Sequence, residues 1–137
     1  MAKHTDHFVH GTITYLSVQP SAPHTAWTPN TDVYHKGDSL VVRMELAGVE
    51  QDDLEITLSD RLLLVSGQRR DPCRQEPCTF RQMEIDYGYF ERRIVIPHPV
   101  DGKRVRARYQ NGFLQIELPR ARTASQQQVT VIIEQAE

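Results

Sequence analysis

The sequence predicts an all-β sandwich, and three observations predict it. Between residues 31 and 120, short runs alternate apolar and polar side chains, as strands with one buried and one wetted face require. Turn-forming clusters, His35-Lys-Gly-Asp38, Asp60-Arg61 and Asn111-Gly112, interrupt those runs at hairpin spacing,. Prolines close two of them, at Pro97-His-Pro99 and Pro119, because proline has no N–H to give to a ladder.

Asp32-Val-Tyr34 is the first short strand. Ser39 to Leu46 follows, with Leu40, Val42, Met44 and Leu46 set against Val41, Arg43 and Glu45, and Ala47-Gly48 ends it. Leu54, Ile56 and Leu58 alternate with Glu55, Thr57 and Ser59, and Asp60-Arg61 turns the chain into the apolar run Leu62 to Val65. Gly67 to Pro77, with two prolines, Cys73 and several charges and with Cys78 just after it, reads as a long loop, and Thr79 to Ile85 as a weak strand,. Tyr89 to Ile96 is rich in aromatic and β-branched residues,. Arg104 to Gln110 and Phe113 to Leu118 flank Asn111-Gly112, the pair that supplies the positive φ angles of a two-residue hairpin,. Beyond Pro119 a polar, glutamine-rich stretch leads to Val129-Thr-Val-Ile-Ile133. An isolated β-prone cluster of this kind is expected to add itself to a sheet edge, its own or another subunit's.

A chain of 137 residues fits one folded unit,. The expected division is a flexible N-terminal arm over 1–30, the sandwich over 31–120 and a C-terminal extension with an apolar anchor over 121–137. The arm has Pro20, Pro23 and Pro29 and scattered apolar residues, Phe8, Val9, Ile13, Tyr15, Leu16, Val18 and Trp27. No run approaches the ~20 apolar residues of a membrane helix and no signal-peptide stretch opens the chain,, so the expectation is a soluble, cytoplasmic protein. A formal charge of -2 argues against polyanionic partners, whether nucleic acid or membrane,.

Chemistry-bearing motifs are scarce. Neither phosphate-binding glycine loop nor Gly-x-Ser-x-Gly elbow occurs,, so no enzyme and no cofactor is expected. His4, His7 and His10 form the one ligand-like cluster and are read as exposed arm residues, with no metal site,. Cys73 and Cys78 lack Cys-x-x-Cys spacing and are expected as free thiols, a disulfide within or between subunits being the alternative,. Arg92, Arg93, Arg104, Arg106 and Arg108 alternate with apolar residues and read as solvated or interface arginines, offset by acids such as Glu91 and Glu117,.

Ala107-Arg-Tyr-Gln-Asn111-Gly112-Phe-Leu114 resembles the Ala-x-x-x-Asn-Gly-x-Leu ending of the α-crystallin domain of small heat-shock proteins, bacterial and plant type. Trp27 to Tyr34, Glu45 to Val49 with Leu54 to Gly67, and Tyr87 to Pro97 resemble the same family in order and spacing. The resemblance implies an immunoglobulin-like antiparallel sandwich and an ATP-independent holdase that keeps partly unfolded client proteins from aggregating. It further implies a homodimer in which the segment Thr79 to Ile85 pairs with a partner's sheet, with Phe80, Met83, Ile85 and Arg92 as contacts. The family's Ile/Val-x-Ile/Val tail, which lies in a groove on a neighbouring dimer and assembles larger oligomers, would be Val129-Thr-Val131 or Val131-Ile-Ile133. Its groove would be lined by Leu54, Ile56 and Leu58 on one strand and Val105, Ala107 and Tyr109 on another, although these are equally simple core positions. Ala47 in place of a common proline, Ile85 in place of a common arginine and a short, phenylalanine-poor arm imply a dimer or modest oligomer with narrower action than long-armed relatives. A binding module on the same sandwich without holdase action is the competing reading.

Overall fold

The computed structural model describes residues 25–74 and 76–135, and its strands build two facing sheets. In chain order they are β1 (Thr31–Lys36), β2 (Ser39–Glu45), β3 (Glu55–Ser59), β4 (Leu62–Arg69), β5 (Gly88–Val95), β6 (Arg106–Gln110), β7 (Phe113–Pro119), β8 (Gln128–Thr130) and β9 (Ile133–Glu134). One sheet has the order β1-β2-β7-β6-β9 and the other β5-β4-β3-β8. All pairings are antiparallel except β6 with β9.

Period-two patterning sets which side chains meet. Leu40, Val42 and Met44 of β2 stand opposite Leu118, Ile116 and Leu114 of β7, and all six are fully buried. Across the gap, Ile56 and Leu58 of β3 pair with Val65 and Leu63 of β4, and Leu63 with Ile94 of β5. These two apolar faces pack as the single core of the sandwich,. Each buried aliphatic side chain stabilises by about 1.5–3 kcal/mol. Asp60, at φ 54°, and the Asn111-Gly112 pair, at φ 54° and 80°, make the tight turns that lock these registers,.

Three expectations are corrected by the tertiary contacts. β4 continues through Gly67 and Gln68 to Arg69, because Gly88–Phe90 of β5 lie alongside to complete the ladder. Thr79 to Ile85 forms no strand: no edge of this chain pairs with it among the described residues. Cys73 and Cys78 are joined in a disulfide rather than free, since the 3₁₀ turn Pro72–Arg74 brings their Cα atoms to 5.8 Å. His4, His7 and His10 and the arm's apolar residues from Phe8 to Val18 lie outside the described residues.

Trp27, which the sequence reading places in the arm, is buried. Its ring meets Phe90 edge-on at 5.2 Å and its indole N–H donates to the Gly88 carbonyl at 2.7 Å. Arg69 caps the other face, its guanidinium carbon 3.9 Å from the ring centroid, while it donates to the carbonyls of Asp86 (2.7 Å) and Ala47 (3.1 Å),. One side chain thus ties the start of the domain, the β2–β3 turn and the entry to β5 together.

Candidate functional site

β3 and β6 lie in opposite sheets, and neither borders a domain strand on its outer side. The gap between them is where the resemblance places a groove. Ile56, Leu58 and Ala107 are fully buried there as part of the core, and Leu54, Val105 and Tyr109 are half-buried and packed against it. Tyr109 turns its hydroxyl inward to within hydrogen-bond reach of the Leu46 and Val49 carbonyls, at 2.7 and 2.6 Å. Burial pushes its phenol pKa up, so it remains a neutral donor and its ring a fixed wall.

The chain's own tail fills this groove. β8 runs antiparallel to β3, with Val129 opposite Leu58, and the Val131 N–H donates to the Ile56 carbonyl at 2.9 Å. β9 then crosses to the other wall and pairs in parallel with β6, Ile133 beside Ala107. Val131 and Ile133 are buried and Val129 is half-buried against the core, whereas Ile132 is 82% exposed. Alternation therefore sets the facing: 129, 131 and 133 point in and 132 points out.

Polar contacts bracket the apolar stretch. Arg106 donates twice to the Glu134 carboxylate, at 2.7 and 3.2 Å, and this pairing holds the Glu134 pKa below the usual carboxylate range. At the other end Gln127 bonds to Asp60, Val100 and Gly102. Sequence reasoning missed both clasps. Gln127 sits in a run of three glutamines that carries no local signal, and Glu134 pairs with an arginine 28 residues away.

The loop between β4 and β5 is a second apolar surface. Phe80, Met83 and Ile85 are exposed, at 46%, 58% and 60%. Arg92, the fourth residue expected at the dimer contact, lies in β5 opposite Val65, in the inward row between Phe90 and Ile94. It is half-buried, its Nε has no acceptor among the described residues, and burial draws its pKa down. Arg92 is therefore not a solvated arginine, unlike Arg93, Arg104, Arg106 and Arg108, which are exposed. Among the described residues no group of three or more His, Cys, Asp or Glu side chains could hold a metal ion, and no helix is long and apolar enough to cross a membrane.

A two-sheet sandwich whose edge groove takes an extended apolar strand defines a class of protein, and the comparisons name it. Residues 32–134 match the model of the Hsp20/alpha crystallin family, and the chain belongs to that family. It is 35% identical over 95 residues to spore protein SP21 of Stigmatella aurantiaca, covering 69% of this chain and 56% of that protein. It is 26% identical over 103 residues to small heat shock protein C2 of Rickettsia felis, covering 75% of this chain and 67% of that one. The chain thus spans little more than half of the length of the first relative. Among solved structures, heat shock protein 16.0 of Schizosaccharomyces pombe superposes with a TM-score of 0.67 at 30% identity, over 79% of this chain and 99% of that one. A small heat-shock protein of Xylella fastidiosa, described as having a distinct high order structure, gives 0.65 at 27%, over 75% and 95%. The sandwich expected from the sequence is the α-crystallin fold of these neighbours.

Proposed function

We propose that the chain is an ATP-independent holdase that binds partly unfolded proteins and keeps them from aggregating. One observation carries the reading: an apolar groove between two sheet edges accepts an extended segment with every second residue apolar. Unfolded chains offer such segments, and backbone pairing along an edge needs no particular client sequence. Capture by burial consumes no fuel, which accords with a sequence that has no phosphate-binding loop,. The activity is binding rather than catalysis, in the cytoplasm, without nucleic acid, membrane or cofactor. The test is light scattering of a heated client enzyme with stoichiometric chain and no nucleotide. Suppression supports the reading, and an unchanged aggregation curve refutes it.

The working unit in this reading is a homodimer, able to build a modest homo-oligomer. Exposed Phe80, Met83 and Ile85 in an 18-residue connection between β4 and β5 supply the reach and the apolar contacts to lie against a partner's sheet. Among the described residues β1 has an unpaired edge that would suit such a strand,. The orphaned Nε of Arg92 is a donor that a partner's carbonyl or carboxylate would satisfy,.

A further inference from the structure

We infer that Cys73 and Cys78 form an oxidation switch on the connection between β4 and β5: the ring they close decides whether Thr79 to Ile85 can straighten and pair with a partner's edge. The inference rests on the homodimer reading above and concerns its control.

Chain length carries it. The two feet of the connection are tied side by side. Arg69 and Gly88 are partners in the β4–β5 ladder, Arg69 donates to the Asp86 carbonyl at 2.7 Å, and Arg70 donates to the Asp53 carboxylate at 2.9 and 3.0 Å. To run as a strand from Asp86 out to Thr79, the returning limb needs about 23 Å. The outgoing limb, from Arg70 to Thr79, must cover the same distance. With the ring open its extended chain reaches about 30 Å. With the ring closed, the five steps from Cys73 to Cys78 collapse to a Cα separation of 5.8 Å. The outgoing limb then reaches only about 20 Å, and the 3₁₀ turn Pro72–Arg74 shortens it further. A limb of that length falls short of the strand it must accompany, so the closed ring keeps Thr79 to Ile85 bent. The structure has the ring closed, no strand in that segment, and Phe80, Met83 and Ile85 exposed.

The position of the pair suits reversible chemistry. Cys78 is exposed and Cys73 half-buried, both in a surface loop. In the cytoplasmic setting proposed above, a disulfide is transient and reports on redox state. A peroxide is the oxidant class. The exposed Cys78 thiolate attacks one peroxide oxygen, the O–O bond breaks, and the leaving hydroxide takes up a proton to become water, which leaves a sulfenic acid. The Cys73 thiol then attacks that sulfur, the S–S bond forms and a second water departs. Two thiols have lost two electrons and two protons, and one peroxide has become two waters. A dithiol reverses the step by two thiol–disulfide exchanges and leaves as its own disulfide.

The test uses the full-length chain, reduced with a dithiol or oxidised with hydrogen peroxide, and reads the dimer dissociation constant by sedimentation velocity. Oxidation should consume both thiols, give no covalent dimer on a non-reducing gel, and raise the constant at least about tenfold, the factor that accompanies one lost apolar contact. Dithiol treatment should restore the lower value. The double variant Cys73→Ser, Cys78→Ser should keep that lower value in peroxide, which separates closure of the ring from oxidation of the exposed Met83,. A dimer with the same constant oxidised and reduced overturns the switch and leaves the homodimer standing. Thiols that survive peroxide, a covalent dimer, or a double variant that still responds each overturn the switch as well. A chain that is monomeric in both states overturns the homodimer reading and the switch with it.

Discussion

Replacing Val131 and Ile133 together by alanine should release the tail while leaving the sandwich folded. The two substitutions remove five carbon atoms from buried positions, and at about 0.8 kcal/mol per buried methylene the loss is about 4 kcal/mol. Docking itself is a small difference of larger quantities. Burying Val129, Val131 and Ile133 contributes about 1.5–3 kcal/mol each, and ordering five residues costs about 1–2 kcal/mol each. The net is at most a few kcal/mol, so a 4 kcal/mol loss exceeds it. The core is spared because the domain strands β1–β7 pair with one another without the tail. Hydrogen exchange read by mass spectrometry is the assay: peptides covering 128–134 should exchange at the rate of an unstructured chain, and those covering β2 and β7 at the wild-type rate. Persistent protection of 128–134 would show that the anchors do not hold the tail, and loss of protection throughout would show that the tail is part of the cooperative core.

Other outcomes follow from the same contacts. The Arg106 pairing lowers the Glu134 pKa, so the stabilisation it gives is present above the ordinary glutamate value of about 4.3 and lost as pH falls through the depressed folded value. Protection of amides 131–134, taken relative to the intrinsic exchange rate at each pH, should therefore fall below about pH 4, and Glu134→Gln should abolish that fall; a fall in protection that survives the substitution refutes the assignment. Reducing Cys73–Cys78 with a dithiol opens a small ring in a surface loop, so the folded state should lose no more than about 2 kcal/mol of stability. A loss well beyond that in thermal unfolding would mean that the loop belongs to the core. Trp27→Ala, which empties the space between Phe90 and Arg69, should cost about 3–5 kcal/mol in urea titrations. A change under 1 kcal/mol would show that residues 25–30 are dispensable to the fold.

Alternation in Ser39 to Leu46, Leu54 to Leu58 and Phe113 to Leu118, with Asp60-Arg61 and Asn111-Gly112 between runs, was enough to determine strands, turns and the side facing the core. Those features are local: a residue's neighbours two positions away fix which face it joins, and positive φ at a turn is a property of one or two residues. The tail residues Val129, Val131 and Ile133 were likewise marked as needing an edge by their apolar β-branched character,. Tertiary structure alone showed which strands of this chain they meet, because that depends on where the chain stands at Ala121 relative to Val100 and on a glutamine finding three partners far away in sequence. The same reason explains Arg69 prolonging β4 beneath Trp27 and the pairing of Cys73 with Cys78. Polar and charged side chains are placed by the partners that satisfy them, and no stretch of sequence around them names those partners.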